Sequence, residues 1–342
     1  MIIQFENFQI SLNEILDANF SLSNFHGSEL NALKLISEWF SDQDTFTFKT
    51  SGSTGKSKEI LIHRKMIEYS TMATFDRIDP ERKLNSSLLC LDPQFIGGAM
   101  VIFRALIMEH NITVIEPSKS PLEALETDSQ FGLASMVPLQ YLNSPADRIN
   151  QIDTIIIGGS PIGIKSNSDI KSNVFSSYGM TETVSHIALR KIDETDFVTT
   201  GDTKVSLGKD SSLHISGTIT NEEILETNDI VELKSDISFK WIGRKDFVIN
   251  SGGIKINPET LEQKLSSQIQ SEFIVSSQKD DFLGQKIILV VEGIEKESFD
   301  FSLLTKYEVP KNVLFVAEIP KTASGKIDRM QTEKMISNIE FE

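Results

Sequence analysis

Residues 50–58 combine hydroxyl, glycine and lysine residues at a density that suits phosphate binding. The segment reads Thr-Ser-Gly-Ser-Thr-Gly-Lys-Ser-Lys. Glycines let backbone N–H groups approach phosphate oxygens closely, hydroxyl groups donate hydrogen bonds, and lysines supply positive charge. Residues 55–57 match the end of a nucleotide P-loop, but that motif needs glycine at position 50 and a helix directly after the loop. Thr50 and the strand-like residues 60–62 therefore favour a different phosphate loop, with a Ser/Gly surface turn as the alternative.

A second candidate segment spans residues 176–183 and reads Ser-Ser-Tyr-Gly-Met-Thr-Glu-Thr. It follows a strand-like run ending in glycines 158 and 159, and α/β sheets usually bind ligands at the carboxyl ends of their strands. Residues 243–259 contain a Gly-Arg-Lys-Asp stretch and a second glycine pair, and residues 320–329 form a polar turn with a lysine. Taken alone, residues 176–183 are also explained by a structural turn, and residues 243–259 by an interdomain linker with a capped helix. The lysine of residues 320–329 is also explained as a solvated side chain.

In this order, the segments resemble the motifs of the adenylate-forming superfamily, which includes acyl-CoA synthetases, luciferases and adenylation domains. Residues 178–183 match its most recognisable signature, and residues 227–229 (Thr-Asn-Asp) stand where the family usually has Thr-Gly-Asp. Residues 243–246 match the hinge motif and residues 324–326 match the C-terminal lysine motif. The resemblance covers roughly residues 45–335. It implies that ATP and Mg²⁺ activate a carboxylic acid as an acyl-adenylate, whose acyl group then passes to a thiol such as that of CoA.

The resemblance assigns nucleotide-binding roles residue by residue. The β- and γ-phosphates would be held by Thr50, Ser51, Gly52, Ser53, Thr54, Gly55 and Lys58. Thr181 would contact the α-phosphate, and Glu182 would hold Mg²⁺ between phosphate oxygens. The adenosine side of the site would be formed by Gly159, Ser160, Pro161, Tyr178, Gly179, Asp229 and Arg244. Within that set, Asp229 would accept hydrogen bonds from the ribose hydroxyls, with Arg244 as a nearby donor.

Lys326 receives the main catalytic role from the resemblance. A carboxylate that attacks an α-phosphate brings two anions together, so catalysis must be mainly electrostatic and positional. Lys326 would bridge the two anions in this first step, together with Thr181 and Glu182. The superfamily then rotates its small domain for thiol transfer, with Asp246 as the expected pivot and residues 252–253 turned toward the site.

The acid is suggested by a closer resemblance to the bacterial o-succinylbenzoate–CoA ligases of menaquinone biosynthesis. Such a substrate has two carboxylates, of which one reacts and the other must be recognised. Arg104 is a lone cation within an apolar helix, and a buried charge is costly unless it is paired. Arg104, His186 and Arg190 are therefore candidates for the second carboxylate. Alternatively, Arg104 pairs with a structural acid or extends outward to solvent.

Other functions within and outside catalysis remain open at this point. The chain could activate a different aryl or fatty acid, or load the thiol of a carrier protein instead of CoA. It could also be a nucleotide-binding regulatory protein without turnover. The retention of both Glu182 and Lys326 argues against that option, since nucleotide binding alone does not need the bridging lysine.

Alternating strand-like and helix-like segments predict an α/β fold. Alternation or short apolar runs indicate strands at residues 45–50, 60–62, 112–115 and 153–157, and longer amphipathic or apolar runs indicate helices at 29–40 and 97–110. Strands joined by helices predict parallel pairing within a layered core. Farther along, residues 247–249, 287–291 and 313–316 read as strands, a helix starts at Asn257-Pro258, and another follows Lys326.

The length of the chain and the change in its sequence pattern toward the C-terminus predict two domains. The 342 residues exceed the usual ~100–200 per domain. We expect a large layered α/β domain over residues 1–245 and a small mobile α+β lid domain over residues 246–342 that carries the catalytic lysine. The phosphate loop comes earlier than in typical relatives, so either this is a shortened lineage or part of the usual N-terminal platform is missing. Residues 94–98 (Gln-Phe-Ile-Gly-Gly) stand where many relatives have an aromatic–histidine gate.

Composition excludes several classes of protein. Hydrophobic residues make up 39% and charged residues 24%, which excludes wholesale disorder. The net charge of −16 argues against a general surface for nucleic acid or anionic membranes, and no apolar run is long enough to span a bilayer. A single cysteine, Cys90, excludes internal disulfides and Cys-cluster metal sites and fits a reducing, cytoplasmic location. The oligomeric state is not indicated.

Overall fold

The computed structural model of the chain describes residues 1–50, 58–159, 167–266, 268–269, 271–294, 299–322 and 327–337. In these ranges no helix has both the length and the apolar character needed to cross a membrane. The α-helices within them are α1 (Leu12–Ile15), α2 (Gly27–Trp39), α3 (Arg64–Ile78), α4 (Ile96–Ile107), α5 (Pro138–Leu142), α6 (Ala146–Ile149), α7 (Pro258–Leu265) and α8 (Arg329–Ser337).

The strands of the described residues run from the N-terminus to the small C-terminal sheet. Those before residue 180 are β1 (Ile2–Gln4), β2 (Gln9–Ser11), β3 (Thr45–Lys49), β4 (Glu59–His63), β5 (Ser86–Leu89), β6 (Asn111–Val114), β7 (Phe131–Met136), β8 (Ile152–Ile157) and β9 (Asn173–Tyr178). Those after it are β10 (Ala188–Lys191), β11 (Phe197–Thr199), β12 (Lys204–Leu207), β13 (Ser212–Ser216), β14 (Leu225–Ser235), β15 (Ser238–Arg244), β16 (Ile249–Ser251), β17 (Ile254–Ile256), β18 (Phe273–Asp280), β19 (Gly284–Glu292) and β20 (Asn312–Val316).

The first half of the large sheet is parallel, as predicted. Its strands lie in the order β9-β8-β7-β5-β6-β1, and β2 extends it by an antiparallel pairing with β1. All six residues of β7 are buried, and so are all residues of β8 except Asp153. A parallel sheet is covered on both faces, so its central strands are continuous apolar runs rather than alternating ones. The strands predicted at residues 112–115 and 153–157 and the helices predicted at 29–40 and 97–110 are confirmed within a few residues.

The second half of the same sheet is antiparallel, so the expectation of parallel pairing is wrong there. From β9 the order continues β10-β11-β15-β14-β13-β12, and every neighbouring pair is antiparallel. Only two residues separate β14 from β15. A connection this short forms a hairpin, whereas a parallel pair needs a crossover of a dozen or more residues.

A smaller sheet follows, with strand order β17-β16-β19-β18 and β20 paired parallel to β19. Leu261 and Leu265 of α7 belong to its core together with Ile269, which confirms the predicted amphipathic helix. The strand predicted at residues 247–249 is wrong in part: Lys245–Phe247 is a single 3₁₀ turn and the strand starts at Ile249. The division into domains 1–245 and 246–342 stays a prediction.

The hairpin of β3 and β4 stands apart as a two-stranded sheet and is fixed to the large sheet's helices by aromatic packing. Phe103 of α4 lies 5.1 Å from Trp39 and 5.0 Å from Phe46, measured between ring centroids. The Arg64 guanidinium lies 4.1 Å from the Trp39 ring centroid and donates to the Trp39 carbonyl oxygen (2.7 Å). This packing places the hairpin beside α4, the helix that carries Arg104.

Candidate active site

The hydroxyl- and glycine-rich segment connects the two strands of the β3–β4 hairpin. At its base the Thr50 N–H donates to the Lys58 carbonyl oxygen (2.8 Å), and the Lys58 N–H donates to the Thr50 hydroxyl oxygen (3.0 Å). The predicted phosphate ligands Ser51, Gly52, Ser53, Thr54 and Gly55 lie outside the described residues. A strand follows the segment, so the interpretation against a nucleotide P-loop, which opens into a helix, is confirmed.

The loop after β9 folds back tightly on itself. Ser185 N–H donates to the Met180 carbonyl (3.1 Å), and Val184 and Ser185 have φ angles of 52° and 82°. This left-handed backbone is uncommon for a β-branched residue and costs on the order of 1–3 kcal/mol for such a residue. Gly179 is required because a Cβ there would lie 2.1 Å from the Ser185 carbonyl oxygen. The hydrogen bond and the close backbone contact therefore hold this loop, hereafter the signature loop (residues 179–187), in one compact shape against its backbone strain.

We expect Gly179→Ala to destabilise the protein and to reduce its activity, because the added methyl group meets backbone atoms of residues 185 and 186 that cannot move aside cheaply. Overpacking of this kind costs about 1–3 kcal/mol or more. Urea unfolding measures the loss. Gly97→Ala is the matched control, since a Cβ at that helical position would make only an ordinary 3.7 Å contact with Leu91. Equal stability of the two variants would contradict the role assigned to Gly179.

The signature loop presents Glu182 to solvent. Glu182 is exposed, Thr181 beside it is buried, and none of the described residues forms a hydrogen bond or ion pair with the Glu182 carboxylate. Glu182 lines a cleft of about 290 Å³ together with His63 and Glu223. Mg²⁺ usually takes one or two carboxylates and completes its shell with water and substrate phosphates. The Glu182 carboxylate, at the edge of a cleft that Glu223 also lines, fits that kind of site.

A second depression has a volume of about 390 Å³, but it is formed by other residues. Its lining consists of Asn13, Glu14, Asp17, Asn19 and Phe20. None of the residues predicted to bind nucleotide or acid is among them. Larger volume alone therefore does not make it the better candidate for the site.

Asp229 is buried on β14, opposite Arg244 of β15, and both of its carboxylate oxygens accept hydrogen bonds. Tyr178 Oη donates to Oδ2 (2.7 Å), and Trp241 Nε1 donates to Oδ1 (3.0 Å). Burial and the nearby carboxylate raise the pKa of Tyr178 well above its ordinary value of 10, so the phenol keeps the proton it donates. These bonds fix the orientation of the carboxylate that the sequence assigns to the ribose.

The hinge motif lies directly beside Asp229. Arg244 Nη2 pairs with Asp246 Oδ2 (2.6 Å), and Arg244 Nη1 lies 4.0 Å from Asp229 Oδ1. Asn228 Nδ2 is 3.4 Å from the same Asp246 oxygen. Asp229 and Arg244, which the resemblance assigns to the adenosine side, are thus brought into one polar cluster with Asp246, the expected pivot.

Of the adenine-side residues 159–161, only Gly159 belongs to the part of the chain that the structure describes. Gly159 follows β8 with a φ of 101°, a conformation that favours glycine. Ser160 and Pro161 lie outside the described residues, and so does Lys326. Their assigned roles stay predictions.

Arg104 is buried, and no carboxylate in the described ranges of the chain neutralises its charge. Its side chain is among the largest fully buried ones, with 1% of the residue exposed, and no described Asp or Glu forms an ion pair with it. Nη2 lies 3.4 Å from His186 Nδ1, and Nε has no hydrogen-bond partner among the described residues. Burial lowers the pKa of Arg104 from 12.5 to about 10, so the guanidinium is still charged at neutral pH. Both alternatives, a structural acid partner and extension to solvent, are therefore wrong for the described residues.

His186 completes this cluster as a neutral side chain. Burial and the Arg104 charge hold its pKa well below 6.5. Because Arg104 can only donate, Nδ1 must accept, and Nε2 then carries the proton toward Thr74 Oγ1 (3.0 Å). The Thr74 hydroxyl in turn donates to the Ser70 carbonyl (2.7 Å). Two of the three residues predicted to meet a second carboxylate thus adjoin each other, His186 within the signature loop and Arg104 on α4.

The neutral His186 predicts a pH dependence of stability. Since the folded-state pKa is depressed, the unfolded chain binds the extra proton first, and stability present above about pH 6.5 is lost as the pH falls. The contribution is at most about 1.4 kcal/mol per pH unit for one proton. We expect the unfolding free energy of His186→Gln to fall less steeply than that of the wild type below pH 6.5 in urea titrations. Identical slopes would show that His186 is not held neutral.

The third candidate, Arg190, has different contacts. It lies on β10, its guanidinium is 5.1 Å from the Phe197 ring centroid, and it donates to the Glu194 carbonyl oxygen. Burial lowers its pKa, with Glu194 opposing the shift. Its role with substrate stays a prediction.

Two partners in this region were not found by reasoning from the sequence. Trp241 is held to Asp229 and Thr74 to His186, although neither belongs to a motif. The only available signal for Thr74 was its spacing of four from Ser70 on one face of α3. Trp241 is separated from the hinge motif only by Ile242, but nothing in the sequence indicates which group accepts from its indole N–H.

The comparisons with known proteins bear on this site and fold. No family model matches. The crystal structure of an acyl-CoA synthetase (AMP-forming)/AMP-acid ligase II-like protein from Dyadobacter fermentans is 31% identical, covering 91% of this chain and 95% of its own, with a TM-score of 0.57. The 2-succinylbenzoate–CoA ligase of Lactococcus lactis is 26% identical over 94% of this chain and 77% of its own length. The o-succinylbenzoate coenzyme A synthetase of Bacillus subtilis, solved with ATP and magnesium, shares the fold with a TM-score of 0.70 at 21% identity, over 84% of this chain and 69% of its own.

These findings confirm the class that the ordered motifs predict. The chain belongs to the family of AMP-forming acyl-CoA synthetases and AMP-acid ligases.

Proposed function

We propose that this protein is an ATP-dependent acid–thiol ligase that converts 2-succinylbenzoate to 2-succinylbenzoyl-CoA in menaquinone biosynthesis. The observation that carries the choice of acid is the buried, charged Arg104, which lacks a carboxylate partner among the described residues. An unpaired buried charge is costly and indicates a site that awaits an anion. The relative from Lactococcus lactis, named for that same acid, supports this choice.

In the proposed first step the reacting carboxylate attacks the α-phosphorus of ATP and pyrophosphate leaves. The phosphate hairpin would hold the β- and γ-phosphates, and Thr181 would contact the α-phosphate at the start of the signature loop. Mg²⁺ bound at Glu182 would neutralise phosphate charge as the bond to pyrophosphate breaks. Asp229, oriented by Tyr178 and Trp241, would accept from the ribose hydroxyls. Because the chain carries a net charge of −16, the positive potential that binds ATP and the acid must come from residues at the site itself.

The second carboxylate would meet Arg104 and His186. The guanidinium can donate through Nε, which has no partner among the described residues, and through Nη2 after a small shift from His186. The forked N–H donors of a guanidinium match the geometry of a carboxylate. An ion pair with the substrate would therefore compensate the buried charge of Arg104. The acid would then be held at one end by Arg104 while its other end faces the α-phosphate.

In the second step the thiol attacks the carbonyl carbon of the adenylate, the C–O bond to phosphate breaks and AMP leaves. We propose that Lys326 serves the first step only, and that rotation about Asp246 brings the loop at residues 252–253 to the site for the second. CoA is the proposed thiol and the cytoplasm the proposed location. A carrier-protein thiol or another aryl or fatty acid is the alternative.

ATP–pyrophosphate exchange across a panel of acids tests this function. We expect exchange with 2-succinylbenzoate, much less with benzoate and fatty acids that lack the second carboxylate, and release of an acyl-CoA when CoA is added. Exchange driven equally by monocarboxylic acids would reject the proposed substrate. Nucleotide binding without exchange for any acid would favour a regulatory protein without turnover.

A further inference from the structure

The described residues that flank the lysine motif form an ion pair on each side, at Lys321 and at Arg329. On its N-terminal side, Lys321 Nζ pairs with Glu272 Oε2 (2.6 Å), and Lys321 forms an antiparallel bridge with Ile327. The Asp328 N–H donates to the Pro320 carbonyl (2.8 Å). The described backbone on either side of residues 323–326 is therefore drawn together, and this closed pair of flanks is called the base of the lysine segment below.

On the C-terminal side, Arg329 is the anchor. Its Nη2 pairs with the Glu262 carboxylate and its Nη1 donates to the Val275 carbonyl (3.2 Å). Glu262 Oε1 also accepts from the Val275 N–H (2.7 Å). The Arg329 and Glu262 side chains are 16% and 18% exposed. One guanidinium thus joins α8, which starts three residues after Lys326, to α7 and β18.

Arg329 also contacts the hinge. Its guanidinium carbon lies 5.2 Å from the centroid of the Phe247 ring, which also faces the Arg244 guanidinium carbon at 5.8 Å. Phe247 directly follows the expected pivot Asp246, and Arg244 pairs with Asp246. A continuous set of contacts therefore leads from Asp229 through Arg244 and Phe247 to the base of the lysine segment.

We propose that Arg329, held by Glu262 and stacked on Phe247, is a positioning residue that fixes the lysine segment relative to the hinge for adenylate formation. The inference rests on the proposed function, because it presupposes that Lys326 acts in the first step. An ion pair is suited to this purpose because its directional bonds define one geometry, whereas its net contribution to stability is small. The Arg329 charge also interacts with the carboxylates of Glu259 and Glu333. Replacing Arg329 by a neutral residue therefore removes a stabilising positive charge from these two carboxylates and from Glu262.

The test uses Arg329→Gln and Glu262→Gln in the full chain, with Lys264→Gln as the matched control. Lys264 lies on the same helix and forms an ion pair of the same kind, with Glu308 (2.7 Å), away from the hinge and the lysine segment. For the first two variants we expect ATP–pyrophosphate exchange to fall at least 30-fold in kcat with little change in the KM for ATP. Thioester formation from supplied acyl-adenylate should stay within about threefold. Arg329→Lys should recover part of the exchange, and Lys264→Gln should change neither step.

Hydrogen–deuterium exchange of peptides covering residues 320–337, measured without any substrate, separates this proposal from the proposed function. Faster exchange in Arg329→Gln and Glu262→Gln, but not in Lys264→Gln, is expected. Unchanged exchange rates, or equal loss of both half-reactions, would overturn the positioning role. If the peptides respond while the wild type lacks acid-dependent pyrophosphate exchange, the positioning role stands for the structure and the proposed function fails.

Discussion

Arg104→Leu is expected to make the protein more stable and its substrate binding much weaker. Burial of the charged guanidinium is unfavourable in free energy, since no described carboxylate compensates the charge. Replacing buried charged groups by well-packed apolar side chains often stabilises a protein by about 1–4 kcal/mol. When the buried charged partner of a bound carboxylate is removed, the binding free energy of the ligand weakens by about 2–5 kcal/mol. This corresponds to roughly 30-fold or more in affinity. Urea unfolding and the KM for 2-succinylbenzoate in pyrophosphate exchange measure the two effects, with the KM for ATP expected to be unchanged.

The opposite signs of these two effects make the prediction specific. Loss of stability together with loss of binding would describe an ordinary core residue. Arg104→Lys keeps the charge without the planar fork and should give intermediate binding. Arg190→Leu is the comparison variant: if it raises the KM for the acid while Arg104→Leu does not, the second carboxylate belongs with Arg190.

Lys326→Ala is expected to lower adenylate formation by about 10²–10³-fold, the usual effect of removing one preorganised electrostatic stabiliser. Thiol transfer from supplied acyl-adenylate should be largely spared, because the lysine is proposed to serve only the first step. Pyrophosphate exchange measures the first step and acyl-CoA formation from synthetic adenylate measures the second.

Lys334→Ala provides the control for this substitution. Lys334 lies exposed on α8, five residues beyond Arg329, and has no assigned role. We expect both half-reactions of this variant to match those of the wild type. If Lys326→Ala slowed both half-reactions to the same degree, the assignment of the lysine to the first step would be wrong.

The elements around the site were predictable to differing degrees for physical reasons. Strand β8 and helix α4 were found because each buries an apolar run against neighbours on both sides. The antiparallel half of the large sheet was not, because its strands have short connections and half-exposed faces that resemble loops, as β12 and β14 do. The prediction of a strand at Phe247 is wrong because this apolar side chain lies on a 3₁₀ turn, where its ring packs against two guanidinium groups.

The residues of the candidate site were likewise predictable to differing degrees. Gly179 and Glu182 belong to a motif whose letters are visible in the sequence, and the structure adds the reason for the glycine: close contact with the Ser185 backbone. The partners of Arg104 and Asp229 come from elements 82 and 12 or more residues away, namely His186, Trp241 and Tyr178. Spacing along the chain carries no information about such pairs, so they required the fold.

Oxygen transfer from the acid to AMP tests the central claim most directly. The acid is labelled with ¹⁸O in its carboxyl groups and incubated with the protein, ATP, Mg²⁺ and CoA. Attack of the carboxylate on the α-phosphorus, followed by thiol cleavage of the C–O bond, must leave one labelled oxygen in each AMP and none in pyrophosphate. Labelled inorganic phosphate formed together with ADP, or unlabelled AMP, would contradict activation of the acid as an adenylate.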